Sequence, residues 1–363
     1  MRNRFMKNVC SFLCFLIVLL LVITMGIAAS GQSGENKQEK EVTFGLCTRD
    51  FAQPFLRAMV EAAKKRAKEL NVNLVVLSPN DDALKHLDII DNLITMEIDG
   101  FISGNLIDAN TIIPGIKRMN DAGIPIIALD ESPKGGKVEY FISCDIQESS
   151  KRAAETMIQE LKDRNNGQIP EGVVIEVMGD LLEGFAGECS KGFHSVVDQY
   201  KELTVVQGEG GWNNDQSFSL VSDFLTRFKD QVVAIYVHTP DVMGTGVAKA
   251  VQESGLDSKE IVKAGYCIGP EGIELINNGD FHCIVEQPIT IAVEMAINLL
   301  YDMIVTEQPV PKIGDTLIEE GALWSPAEVL ENPFCDGAYI KLSAPRVPQD
   351  VSTEDTRLWE NNV

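Results

Sequence analysis

The chain has 363 residues, 45% of them apolar, and a formal net charge of −23. That length allows two domains of ordinary size, each with its own core. The charge repels phosphate backbones and anionic lipid, which argues against nucleic acid or a membrane surface as a partner, and it does not identify a ligand.

The N-terminus reads as a targeting segment over residues 1–30. Arg2, Arg4 and Lys7 precede an apolar run from Phe12 to Ala29, and small residues follow at Ser30 and Gly31. The run, about 18 residues, is near the lower limit for a membrane span. It fits a cleaved export signal or a retained anchor, and either one places the rest of the chain outside the cytoplasm. Cys10 and Cys14 lie near its start and none stands just after it, so there is no lipid-attachment motif. Residues 31–41, polar and Gly/Ser/Lys-containing, read as a flexible linker.

Short apolar, β-branched runs then recur in two series. The first begins at Val42, Asn73, Gly100, Ile124 and Tyr140, and the second at Val173, Leu203, Val232, Ile261 and His282. Runs without polar alternation fit strands buried on both faces. Helical stripes separate them. Leu56, Met59, Val60, Ala63, Ala67 and Leu70 share one helix face, and the segments 149–161 and 289–304 are similar. Strand–helix alternation predicts parallel sheets of βαβ units, so the expected fold is α/β with two Rossmann-like lobes. No Gly/Pro-rich linker parts the two series, which predicts a tight hinge near Cys144 to Ser149.

Ligands of parallel sheets are met beyond the carboxyl ends of the strands. The stretch CTRDFAQPFLRAM, at the end of the first run, carries Arg49, Gln53 and Phe55. It reads equally as a plain helix start, with Asp50 as cap, Pro54 in the first turn and the phenylalanines in the core. Other strand ends carry Asp130–Glu131, Cys144–Asp145, His238 to Asp241 and Glu286 to Pro288, while Trp212 follows the run from Leu203. Singly, Asp241 fits a helix cap, Trp212 a core residue and Glu131 a solvated one. Together they suit a neutral polyhydroxy ligand, with carboxylates and amides for its hydroxyls and aromatic rings for its apolar face. The sequence holds no G-x-S-x-G, H-E-x-x-H or phosphate-loop motif, and its cysteines and histidines lack metal-site spacing. The expectation is therefore no catalysis, no metal and no cofactor. The competing reading is a secreted small-glycoside hydrolase using two facing carboxylates.

With DFAQPFL after the first strand, IPIIALDE at the fourth and GYCIGPEGIELINNGDFHCIVEQP near the end, the chain resembles the type I periplasmic binding proteins, in their ribose-binding-like branch. The resemblance spans roughly residues 41–325. It implies an exported receptor that captures a sugar or polyol between two lobes, acts as a monomer, and passes the ligand to an ABC permease or reports it to a membrane sensor kinase. It assigns ligand contacts to Gln53, Phe55, Asp130, Trp212 and Gln287, with Arg49 also facing the ligand. Other positions depart from the family pattern. Glu131 stands where a basic residue is usual, Gly187 and Cys189 where an arginine is usual, Cys267 for an aspartate, and Thr239–Pro240 for an asparagine before Asp241. Arg49 would then replace the missing guanidinium and admit an acidic sugar. Asp145, at the fifth strand end, completes the expected site.

The family architecture also implies three crossings between lobes, near Cys144–Asp145, Gln287–Pro288 and Lys312–Asp315. The expected lobes are 42–144 with 288–313, and 145–287 with 314–325. Residues 326–363 form an extension that either wraps a lobe or is disordered.

Overall fold

The computed structural model describes residues 41–362 except Leu182. The targeting segment and nearly all of the linker lie outside the described residues.

The first series folds as β1 (Thr43–Cys47), α1 (Pro54–Glu69), β2 (Asn73–Leu77), α2 (Ala83–Thr95), β3 (Gly100–Ser103), α3 (Ile113–Asp121), β4 (Ile126–Leu129) and β5 (Lys137–Cys144). The second gives α4 (Ile146–Arg164), β6 (Gly172–Met178), α5 (Gly184–Val197), β7 (Leu203–Glu209), α6 (Asn214–Phe228), β8 (Val232–Val237), α7 (Pro240–Ser254), β9 (Val262–Tyr266), α8 (Pro270–Asn277) and β10 (Cys283–Val285). Then follow α9 (Ile289–Tyr301), β11 (Thr316–Leu317), β12 (Ala327–Glu331), β13 (Asp336–Leu342) and β14 (Arg346–Val347).

Two sheets form, in the orders β11-β12-β13-β5-β4-β3-β1-β2 and β14-β10-β9-β8-β6-β7. Each repeats the doubly wound 2-1-3-4-5 order, with its switch point at β1/β3 or β6/β8. The two-lobe α/β fold is thus as expected. Strands β3, β4 and β9 are buried along their whole length, as continuous apolar runs flanked by helices on both faces require. Leu56, Met59, Val60, Ala63 and Ala67 form the buried stripe of α1, while Lys64, Lys65, Lys68 and Glu69 stay in water. Each fully buried leucine, isoleucine or phenylalanine contributes roughly 1.5–3 kcal/mol of transfer free energy.

Helix α4 packs on β8, β9 and β10, whereas α9 packs on α1 and on β3 to β5. The chain therefore changes lobe after Cys144 and returns after Gln287. The third crossing is not at Lys312–Asp315. Thr316–Leu317, expected in the second lobe, pairs with β12 at the far edge of the first sheet, and the chain crosses at Ser343–Pro345 before β14 joins β10. The reason lies in the tail. β13 runs parallel to β5 and satisfies an edge that would otherwise expose its hydrogen-bonding groups. Residues 326–342 are therefore part of the first sheet. The second and third crossings lie side by side, with the Glu286 N–H donating to the Pro345 carbonyl at 2.9 Å.

Candidate functional site

The loops beyond the carboxyl ends of both sheets face one cleft, which is open to solvent and encloses about 490 Å³ of non-atom space with that solvent included. Its walls are Arg49, Gln53, Phe55, Asn105, Asp130, Glu131, Glu183, Phe185, Trp212, Thr239, Asp241, Val242, Cys267 and Gln287.

The loop after β1 meets both readings of its sequence in part: Phe55 is buried, but Phe51 is 43% exposed and the residue before the helix is Gln53, not Asp50. Asp50 accepts from the N–H groups of Ala52 (2.6 Å) and Gln53 (3.3 Å), Gln53 precedes α1, and Pro54 occupies the first turn where its missing N–H costs nothing. That geometry sets Arg49, Gln53 and Phe55 on the cleft wall. Arg49 donates to Glu183 of the opposite lobe at 2.9 Å and to Asp81 at 2.8 Å. Burial alone would lower its pKa, but the two carboxylates hold it above the ordinary value. Glu183 also accepts from the Trp212 indole N–H at 2.9 Å. Burial pushes the Glu183 carboxyl up against the pull of Arg49. The donors on its two oxygens, the Arg49 guanidinium and the Trp212 indole, oppose that rise.

Asp130 sits at the apex of a tight turn. Its φ is +68°, and the Glu131 N–H bonds the Leu129 carbonyl at 2.7 Å. Aspartate is one of the few side-chain-bearing residues that tolerate this region, and strain of this kind collects at binding sites. Its two oxygens accept from the Asn105 and Gln287 amides, and the Gln287 carbonyl accepts from the Cys267 thiol at 2.7 Å. A polar chain thus runs from β3 and β4 through the second crossing to β9. Burial raises Asp130 to about 6, with the two amides opposing. Glu131 is raised to about 8 by burial and by the charges of Asp130 and Glu183. Burial and Glu271 raise Asp241 to about 7.

Aromatic faces close the cleft. Trp212, at φ +54°, meets the edge of Phe185 at 5.7 Å, and Phe185 stacks on Tyr266 at 5.9 Å. The indole lies directly against the backbone of Gly179, where a Cβ would stand 1.8 Å from the ring. On the other side, Phe55 packs edge-on against Trp359 at 6.1 Å.

Of the residues expected from the sequence, Arg49, Gln53, Phe55, Asp130, Glu131, Trp212, Asp241, Cys267 and Gln287 share this cleft. Asp145 does not. It caps α4 by accepting from the Glu148 N–H at 2.9 Å, and it lines a separate groove with Phe141, Gln147 and Glu188. The strand before it leads into a lobe crossing, so its end turns away from the cleft. The acidic-sugar role expected of Arg49 is also corrected, since its guanidinium already serves Glu183 and Asp81. Asn105, Glu183, Phe185 and Val242 were not singled out from sequence, and Thr239 was named only as a departure from the family pattern. They obey the same strand-end rule, applied to β3, β6 and β8.

The ribose import binding protein of Bacillus subtilis is 23% identical over 286 residues, which is 77% of this chain and 88% of the relative. The D-apiose import binding protein of Paraburkholderia graminis is 24% identical over 256 residues, covering 69% and 78%. Among solved structures, the Caulobacter myo-inositol binding protein bound to myo-inositol aligns with a TM-score of 0.67 at 18% identity, covering 84% of this chain and 93% of that one. The periplasmic binding protein domain matches residues 44–308, a span that takes in the parallel strands β1 to β10 and every wall of the cleft but ends before β11 to β14. By that match and by its two-lobe architecture, the chain belongs to the periplasmic binding protein family.

Proposed function

We propose that the protein is an extracytoplasmic receptor that captures a sugar or polyol in the interlobe cleft and delivers it to an ABC permease. The observation that carries this reading is the cleft itself. Amide, carboxyl and hydroxyl groups from strand ends of both lobes converge beside the faces of Phe55, Phe185 and Trp212. Such a set pairs ring hydroxyls in the plane of a sugar and covers its apolar faces. The names of the ribose and apiose import relatives support the ligand class and the import role, and the apolar N-terminal run supports export.

The ligand-contacting residues in this reading are Arg49, Gln53, Phe55, Asn105, Asp130, Glu131, Trp212, Asp241, Cys267 and Gln287. We assign the lobes as 42–144 with 288–342, and 145–287 with 346–362, hinged at the three crossings. The protein works as a monomer and releases its ligand unchanged.

A thermal-shift screen against sugars, polyols and their derivatives tests the reading. A ligand that binds only the folded state raises the melting temperature, by an amount set by its concentration over its Kd. At least one member of the panel is expected to raise it in a saturable way. A panel with no saturable shift contradicts the reading.

A further inference from the structure

The cleft carries one guanidinium, Arg49, and four carboxyls, Asp130, Glu131, Glu183 and Asp241. The single cation is already shared between Glu183 and Asp81. Glu131 forms no ion pair among the described residues. Its carboxyl accepts from the Phe185 N–H and feels the negative charges of the adjacent Asp130 and of Glu183, while Lys134 lines an adjoining pocket with it. The buried polar atoms left without partners in the cleft are Asp241 Oδ1, Asn105 Oδ1 and the Thr239 hydroxyl. Two are pure acceptors and the third can accept. An occupant that brings hydrogen-bond donors and positive charge complements this set. A hydroxyl brings one donor and demands acceptance in return, whereas an ammonium brings three donors and no acceptor. Burial and the neighbouring carboxyls favour the protonated form of Glu131, and an ammonium beside it would favour the ionised form and pair with it.

We propose that the ligand is an amine-bearing sugar or polyol whose ammonium is held against Glu131. This rests on the sugar-receptor reading and narrows it.

The test is calorimetric titration of the full mature chain with matched triads of probes. Each triad has a neutral hexose, its 2-amino-2-deoxy counterpart and its uronate, in gluco, galacto and manno configuration. The expected result is that in at least one triad the amino sugar binds about tenfold or more tighter than the neutral sugar, with the uronate weakest, as charge complementarity dictates. In Glu131→Gln that ratio should fall to near parity. A neutral sugar or uronate that binds as well as its amino counterpart in every triad with measurable binding overturns the amine proposal and leaves the sugar reading standing. An amino-sugar preference that persists unchanged in Glu131→Gln overturns the role of Glu131. Binding by no member of any triad, with no saturable shift in the wider thermal screen, overturns the proposal and the sugar reading together. The parent ratio stands even if the variant fails to fold.

Discussion

Asp130 holds its position against two costs, a positive φ and full burial of a carboxyl, and its two amide donors offset them. Removing the side chain leaves the Asn105 and Gln287 amides facing a dry cleft. Asp130→Ala is therefore expected to weaken ligand binding by roughly 1.5–3 kcal/mol, about 10- to 150-fold. It should also lower the melting temperature, because two donors lose their acceptor in the empty protein as well. Calorimetry and a melting curve read the two effects separately, and an unchanged affinity would remove Asp130 from the site. A second residue pair governs pH behaviour. Glu286 and Glu360 are buried near each other, with Asp355 and Asp241 adding negative charge, and unpartnered oxygens remain on both. Burial, reinforced by these charges, pushes both carboxyls up from the ordinary 4.5. The folded state thus holds protons that the unfolded chain has released, and stability falls as pH rises through the folded values. Glu131 and Asp241 act in the same direction. His86 and His282, lowered from 6.5 to about 4 by burial, oppose them only below pH 6.5. The melting temperature should therefore fall between pH 6.5 and 8, and Glu286→Gln should flatten that slope. A slope that is flat in the parent, or identical in the variant, would contradict the assignment.

At the scale of elements, the strand ends decide what the sequence reveals. Continuous apolar runs such as IPIIALD and VVAIYVHT made both sheets legible, because burial on both faces leaves no room for alternation. The polar residues after β1, β4, β8 and β10 followed from that reading. Asn105 and Glu183 were missed although they sit at equivalent ends, since a lone polar residue in a turn carries no local signal of its partner. Asp145 obeyed the rule and lay elsewhere, because β5 leads into a crossing, which no local pattern records. Strands β12 to β14 were illegible for another reason. They pair with strands far away in sequence, and only the open edges of β5 and β10 call for them. Two elements carry expectations of their own. Gly179, beneath the indole of Trp212, admits no Cβ without moving the ring. Gly179→Ala is expected to weaken binding about as much as Trp212→Ala, by roughly 1–3 kcal/mol through lost stacking and area. Calorimetry comparing the two variants checks this, and full affinity in Gly179→Ala would place the ring outside the ligand's reach. The tail segment ends on Trp359, which is 5% exposed, donates to the Gln287 carbonyl at 3.0 Å and packs on Phe55. Trp359→Ala should cost about 3–5 kcal/mol of stability, as truncation of a large core aromatic does. A denaturant titration measures it, and a loss below about 1 kcal/mol would make the tail a passive cover.

The whole molecule is two sheets with matching strand order, joined by three strands of chain that lie close together. This arrangement lets the lobes rotate as rigid bodies around a site to which both contribute. Arg49 to Glu183 and Gln287 to Asp130 are bonds across that divide. In the proposed receptor, ligand hydroxyls would compete for and extend the same bonds, which would couple capture to closure. The most direct measurement is calorimetric titration of the mature protein with the best ligand of the thermal screen, followed by mass analysis of the recovered ligand. The account predicts one ligand bound per chain, weakened in Asp130→Ala, and recovered unaltered. Conversion of the ligand, or unweakened binding in Asp130→Ala and Trp212→Ala alike, would contradict it.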